Sequence, residues 1–234
     1  MRAEAPATPA GAAFVPGPPR PARREAVGIL GGTFDPVHYG HLAVAEYVRE
    51  ELGLATILFV PAGVPPHKPG RHISPAVHRL AMLELAVAGN PAFQVSRVEV
   101  DRPGPSYSVD TVDLLVGEAR REGRTLEVTF VISVEALWGL PSWHEPQRLL
   151  DLCRLAVLPR GGAPRPEAKW IDAHFPGRAG RILFLPGPEI WLSASQIRAL
   201  AAAGRSIRYL VPPAVAEYIA GHRLYRPEEG ASRG

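Results

Sequence analysis

The stretch that most restricts the fold begins with the apolar run Ala26-Val27-Gly28-Ile29-Leu30. It ends in Gly31-Gly32 and leads through Thr33-Phe34-Asp35-Pro36-Val37-His38-Tyr39-Gly40 to His41. Beyond it, Val44, Val48 and Leu52 recur at helical spacing, with Tyr47 on the adjoining position. The pattern predicts a strand, a tight bend and a helix. Glycines at such a bend let a ligand approach the backbone closely, and the helix start offers unpaired N–H groups to an anion. His38 and His41, three residues apart at the mouth of that helix, can both donate to phosphate oxygens when suitably protonated. The plain alternative is a glycine turn with two surface histidines, the usual meaning of either half alone.

The alternation of strand and helix continues down the chain. Residues 56–60 form an apolar run closed by Pro61, consistent with a buried parallel strand. A loop dense in Pro and Gly, 62–73, carries His67 and Lys68. Ser74-Pro75 then predicts an N-cap with proline at the first helical position, and Val77, Leu80, Leu83, Leu85 and Val87 stripe the helix that Asn90-Pro91 ends. Phe93, Val95, Val98 and Val100 predict a third strand with imperfect alternation. Ser108 is expected to cap a helix over 109–121 that Gly123 terminates. Residues 126–132, 155–158 and 182–185 supply the remaining strands. The pattern predicts an α/β fold, a Rossmann-like doubly wound parallel sheet with helices on both faces, in a single domain. Such sheets bind ligands at the carboxyl ends of their strands. The loops bearing GGTFDPVHYGH, PPHK, GPSYS and LPSW all follow strands and should therefore converge on one cleft.

Residues 1–24, rich in Ala and Pro, show neither period and are expected to be a disordered tail; the folded unit is expected over 25–226, with a short tail at 227–234. A chain of 234 residues is long enough for one proper core. Its formal charge of +3, without a dense basic run, argues against a nucleic-acid surface. No apolar run is long enough to span a membrane and no secretory signal is apparent, so a cytoplasmic protein is expected. The single cysteine, Cys153, excludes an internal disulfide, and its apolar setting predicts burial. No carboxylate cluster has the spacing of a protein metal site.

GGTFDPVHYGH resembles the signature of the H-x-G-H nucleotidyltransferases, and within them the sequence is most similar to bacterial nicotinate-nucleotide adenylyltransferases. The likeness runs in order through Val64-Pro65-Pro66-His67-Lys68, Gly104-Pro105-Ser106-Tyr107-Ser108, Leu140-Pro141-Ser142-Trp143 and Leu192-Ser193-Ala194-Ser195-Gln196-Ile197-Arg198. It ends with Tyr209-Leu210-Val211-Pro212 and Leu224-Tyr225, covering about residues 25–226. It implies adenylyl transfer from ATP to nicotinate mononucleotide, giving deamido-NAD and pyrophosphate in NAD biosynthesis. The alternatives are the same chemistry on nicotinamide mononucleotide or another phosphate acceptor such as phosphopantetheine, and a nucleotide-binding protein without turnover. GPSYS and LPSW argue against pantetheine; the presence of His38, His41, Lys68 and Arg198 argues against a protein without turnover.

The chemistry suits the residue types. A phosphate is already a nucleophile, so the protein must chiefly position groups and neutralise charge. By resemblance, His41 and His38 hold ATP phosphate oxygens, Lys68 meets phosphate from the second loop, and Arg198 does so from a helix start formed by Ser193 and Ser195. Ser193-x-x-Gln196 also fits a plain capping box. Gly31, Gly32, Thr33 and Phe34 seat the nucleotide, and Ser133 and Glu135 stand on its adenosine side. Trp143 stacks on the pyridine ring, with Tyr107, Ser108 and His144 near the nicotinate carboxylate. Mg2+ is expected with ATP; the partners are the two small substrates, with no nucleic acid and no membrane, and homo-oligomerisation is left open. One departure stands out: the family usually has Ile-Gly-x-Asp where this chain has Ile132-Ser133-Val134-Glu135, which implies a shifted or weakened adenosine subsite with activity retained.

Overall fold

The computed structural model describes residues 23–64, 73–188 and 190–226. Six strands form one sheet: β1 (Arg23–Gly32), β2 (Thr56–Pro61), β3 (Phe93–Val95), β4 (Arg124–Ser133), β5 (Arg154–Leu158) and β6 (Ile182–Phe184). Their spatial order is β3-β2-β1-β4-β5-β6, and every neighbouring pair is parallel. β1 lies inside the sheet, with Leu30 beside Phe59 on one edge and Val131 on the other. It starts at Arg23, within the segment expected as tail, and Arg23 is in register with Arg124.

The strands are apolar on both faces, so both must be covered. Ile57 and Phe59 of β2 enter one layer while Leu58 and Val60 enter the other; β5 divides Ala156 and Leu158 from Leu155 and Val157 in the same way. The first layer is closed by α1 (Tyr39–Glu51), α2 (Ala76–Val87), α7 (Ala194–Ala202) and α8 (Pro213–Gly221), through Val48, Leu83, Ile197 and Ile219. The second is closed by α3 (Ser108–Arg121), α4 (Val134–Gly139), α5 (Pro146–Leu152) and α6 (Ala168–His174), through Val112, Leu137, Leu149 and Ile171. The doubly wound parallel sheet expected from the sequence is the fold that forms. Among the described residues no helix is long and apolar enough to cross a membrane.

Three local expectations fail, each for a visible reason. The third strand stops at Val95; the Asp101 N–H donates to the Arg97 carbonyl at 2.9 Å, closing a turn around Val98 and Val100. Ser74 does not cap α2. Pro75 takes the N-cap position, and the Ser74 N–H donates to Asp35 Oδ2 at 3.1 Å. Ser108 is the first residue of α3 rather than its cap; Tyr107 precedes it, and its carbonyl accepts from the N–H and the hydroxyl of Thr111. Gly123 does end α3, at φ +73°. The segment 161–180, silent as sequence, contains α6, where the Trp170 ring stacks on His174 at 4.3 Å and meets Trp138 edge-on at 4.7 Å.

Candidate active site

The strand order changes direction between β1 and β4, and a cleft of about 500 Å³ opens at their carboxyl ends. Gly31, Gly32, Thr33, Phe34, His38 and His41 line it from the bend after β1. Ser108, Ser133, Trp143, Ser193, Ser195 and Arg198 line it from four later stretches of the chain.

The bend is tight. A β-carbon on Gly31 would lie 3.3 Å from Phe130 Cζ, and one on Gly32 3.1 Å from Phe34 Cζ. Phe34 adopts φ +51°, a left-handed backbone unusual for an aromatic residue. Its buried ring meets His41 edge-on at 4.9 Å and Phe59 at 5.9 Å. That packing offsets a strain commonly of about 1–3 kcal/mol.

His38 occupies the N-cap of α1, and its backbone N–H donates to His41 Nδ1 at 3.2 Å. A neutral His41 therefore carries its proton on Nε2 and is a donor there. The two rings stack with centroids 3.7 Å apart. Gly40 makes the arrangement possible, because a β-carbon there would lie 3.0 Å from His38 Nδ1. His38 is 3% exposed, and its Nδ1 has no hydrogen-bond partner among the described residues. Burial, and secondarily the charge of Arg160, lower its pKa from 6.5 to about 4. That nitrogen is sealed against Gly40, while the ring as a whole lines the cleft beside a helix start, a setting that suits an anion.

At α7, Ser193 acts as the expected cap: its Oγ accepts from the Gln196 N–H and donates to Gln196 Oε1, each at 3.2 Å. Arg198 is fixed at the same wall, with Nη1 donating to the Asp35 carbonyl at 2.6 Å and Nη2 to Ser195 Oγ at 3.2 Å. Helix amides and a pinned guanidinium together make an anion-binding surface.

The other side of the cleft is built around Ser106. Its Oγ accepts from the N–H groups of Gly63 and Val64 at 3.0 and 3.2 Å, and Val64 bridges Pro105. With two donors already on that oxygen, its own proton goes to Glu99, which also accepts from Thr111 Oγ1 at 2.6 Å. Glu99 lines the cleft at 7% exposure, and burial raises its pKa against the pull of those bonds and of Arg102. Trp143 lines the cleft too, edge-on to Phe130 at 6.4 Å. Tyr107 and His144 do not belong to the lining; their rings lie against each other at 4.4 Å, next in sequence to Ser108 and Trp143.

The departure after β4 resolves into two different situations. Ser133 lines the cleft and caps α4, its Oγ accepting from the Ala136 N–H at 3.2 Å. Glu135 is a correction to the sequence reading. It is exposed, stands on the first turn of α4 outside the lining, and leans over Gly161, where a β-carbon would come within 2.6 Å of its Oε1. Lys68 and His67 lie outside the described residues.

Sequence reasoning passed over four residues. Arg160 lines the cleft and acts electrostatically on His38; its place just after β5 was the available signal, since ligands sit at strand carboxyl ends. Glu99 and Asp35 are buried carboxyls on the lining. Arg79, 2% exposed, donates through Nη1 to the carbonyls of Thr33 (3.0 Å) and Ala62 (2.7 Å) and through Nε to that of Ser74 (2.9 Å), tying the bend after β1 to both ends of the loop after β2. No pattern marked Arg79, because it sits inside an ordinary apolar helix.

Residues 29–200 match the cytidylyltransferase-like family. A protein of Thermomicrobium roseum named "Probable nicotinate-nucleotide adenylyltransferase" is 51% identical over 203 residues, which cover 87% of this chain and 92% of the relative. One of the same name from Roseiflexus sp. is 45% identical, over 86% of this chain and 98% of its own. Among solved structures, Plasmodium falciparum nicotinic acid mononucleotide adenylyltransferase complexed with NaAD aligns at a TM-score of 0.69 and 17% identity, over 86% of this chain and 97% of that one. At that identity the likeness speaks for the fold. The curated relatives match half or nearly half of the aligned positions across most of both chains, and residues 29–200 carry the wider family's pattern: this chain belongs to the nicotinate-nucleotide adenylyltransferases of the cytidylyltransferase-like family.

Proposed function

We propose that the protein transfers the adenylyl group of ATP to nicotinate mononucleotide, giving deamido-NAD and pyrophosphate. The observation that carries this reading is the stacked His38–His41 pair at the start of α1, in a cleft that also receives Arg198 and Trp143.

A phosphate oxygen of the acceptor attacks the α-phosphorus of ATP in line. The bond from that phosphorus to the bridging oxygen breaks, and pyrophosphate leaves with the electron pair. No residue is covalently modified, so the side chains act by placement and charge. His41 donates from Nε2 to a triphosphate oxygen, a direction set by the bond at its Nδ1. The anion's field opposes the burial of His38 and favours a proton on the nitrogen that meets it. Arg198, oriented by Asp35 and Ser195, faces the phosphates with its remaining N–H groups, and Arg160 adds positive charge. Magnesium arrives bound to the triphosphate, as part of the substrate; among the described residues no group of three or more His, Cys, Asp or Glu is placed to hold it. The Trp143 face takes the pyridine ring, a stack worth about 1–3 kcal/mol. N–H donors around Ser108 and His144 suit a carboxylate better than a carboxamide. Use of ATP fits a cytoplasmic setting.

A coupled pyrophosphate-release assay with ATP and either mononucleotide tests the reading. Release should favour nicotinate mononucleotide, and His41→Ala should lower kcat by at least about 100-fold, the scale of losing a preorganised donor. Parent-level turnover in that variant would remove the assigned active centre, and release with nicotinamide mononucleotide alone would move the acceptor.

A further inference from the structure

Leu224-Tyr225 plays no part in the chemistry above, yet Tyr225 reaches the bend after β1. Its hydroxyl donates to Asp35 Oδ1 at 2.7 Å, across 190 residues of sequence. The backbone is bent to deliver it: Arg223 and Tyr225 adopt φ +51° and +66°, left-handed values that side-chain-bearing residues rarely take. Asp35 is 3% exposed, lines the cleft and is held from two further segments. The Ser74 N–H donates to its Oδ2 at 3.1 Å, and Arg198 Nη1 to its carbonyl at 2.6 Å. Burial and the adjacent Asp35 charge keep the phenol protonated well beyond its ordinary range, so it remains a donor.

Building on the adenylyl-transfer reading, we infer that Tyr225 is a positioning residue for ATP: by fixing the Asp35 carboxylate it sets the path of residues 33–37 and, through the Asp35 carbonyl, the place of Arg198. Removing the hydroxyl takes the donor from a buried carboxylate oxygen and the acceptor from the Ser74 hydroxyl, leaving both groups to re-pair through a shift of the bend. The Ser74 and Arg198 bonds move with it. The acceptor side has bonds of its own, from Ser106 to Gly63, Val64 and Glu99, and meets the bend through Arg79 at Ala62. The effect should therefore fall mainly on one substrate.

Tyr225→Phe keeps the ring and removes only the donor. Its KM for ATP should rise about 10-fold, the scale of one hydrogen bond to a charged group, while KM for nicotinate mononucleotide stays within about twofold. Hydrogen–deuterium exchange should quicken at residues 33–41 and 74 and stay unchanged in β4 and β5, which also shows that the variant is folded. Tyr225→Phe combined with Asp35→Ala should be no worse than Asp35→Ala alone, because the alanine already removes the acceptor of that link. An unchanged ATP KM, an equal rise for both substrates, or parent-like exchange in the bend overturns the inference. Should the parent release no pyrophosphate with any acceptor, the adenylyl-transfer reading fails separately, and ATP titration calorimetry decides about Tyr225. A Kd about 10-fold weaker in the variant then upholds its role, whereas an equal Kd, or no ATP binding by the parent, overturns it.

Discussion

Sealing an imidazole into the start of α1 gives His38 a weaker hold on its proton than the unfolded chain has, about 4 against 6.5. Between those values the unfolded state binds more protons, so stability rises with pH across this window. The stabilisation is fully present above pH 6.5 and is lost as pH falls toward 4. From pH 7 to pH 5 the cost is about 2 kcal/mol. Urea unfolding of the parent and of His38→Asn should show it: the parent loses about 2 kcal/mol more over that interval, and parallel losses would mean that His38 is not held neutral. Single residues were legible in the sequence where one motif contained both the chemistry and its geometric support. His38, Gly40 and His41 are such a case, since the glycine that clears His38 Nδ1 stands two positions away from it. Arg160 was not legible, because its influence on His38 depends on where β5 ends in space.

The loops that follow β2 and precede α3 form one unit. Ser106 joins them, and the backbones pass so closely that a β-carbon on Gly63 would sit 2.2 Å from the Glu99 carbonyl oxygen. Backbone cannot yield as a flexible side chain can, so Gly63→Ala should cost at least about 2 kcal/mol in chemical denaturation. A loss below about 0.5 kcal/mol, the ordinary range for surface changes, would show that the loops do not meet this tightly. The longer helices α1 and α3, of 13 and 14 residues, were readable because three or more turns display a stripe. α4, α5 and α6 have only six or seven residues each, under two turns, and display none. The apolar run at 149–158 shows the ambiguity directly: it contains the end of α5, Cys153 and all of β5. The Ser74 cap failed for a related reason, since that residue gives its N–H to Asp35, which no neighbouring residue could reveal.

Cys153 reports on the whole molecule. It is 1% exposed between α5 and β5, its Sγ donates to the Leu149 carbonyl at 3.2 Å, and burial pushes its pKa up to about 12. The thiol should resist alkylation in the native protein and react at the rate of global opening as urea is added, with ATP slowing the reaction by binding only the folded state. Rapid labelling without denaturant would contradict its place in the core. By itself the sequence determined the order of strands and helices, the apolar character of both sheet faces, the phosphate-suited bend and the family likeness, because each rests on spacing within a short stretch. Only the tertiary structure decided which distant groups meet: Tyr225 with Asp35, Arg160 with His38, Ser106 with Gly63, and Glu135 with Gly161 in place of the cleft. Those meetings follow from the spatial order β3-β2-β1-β4-β5-β6. That order is set by how the whole set of apolar faces is buried at once, and no local run of residues encodes it.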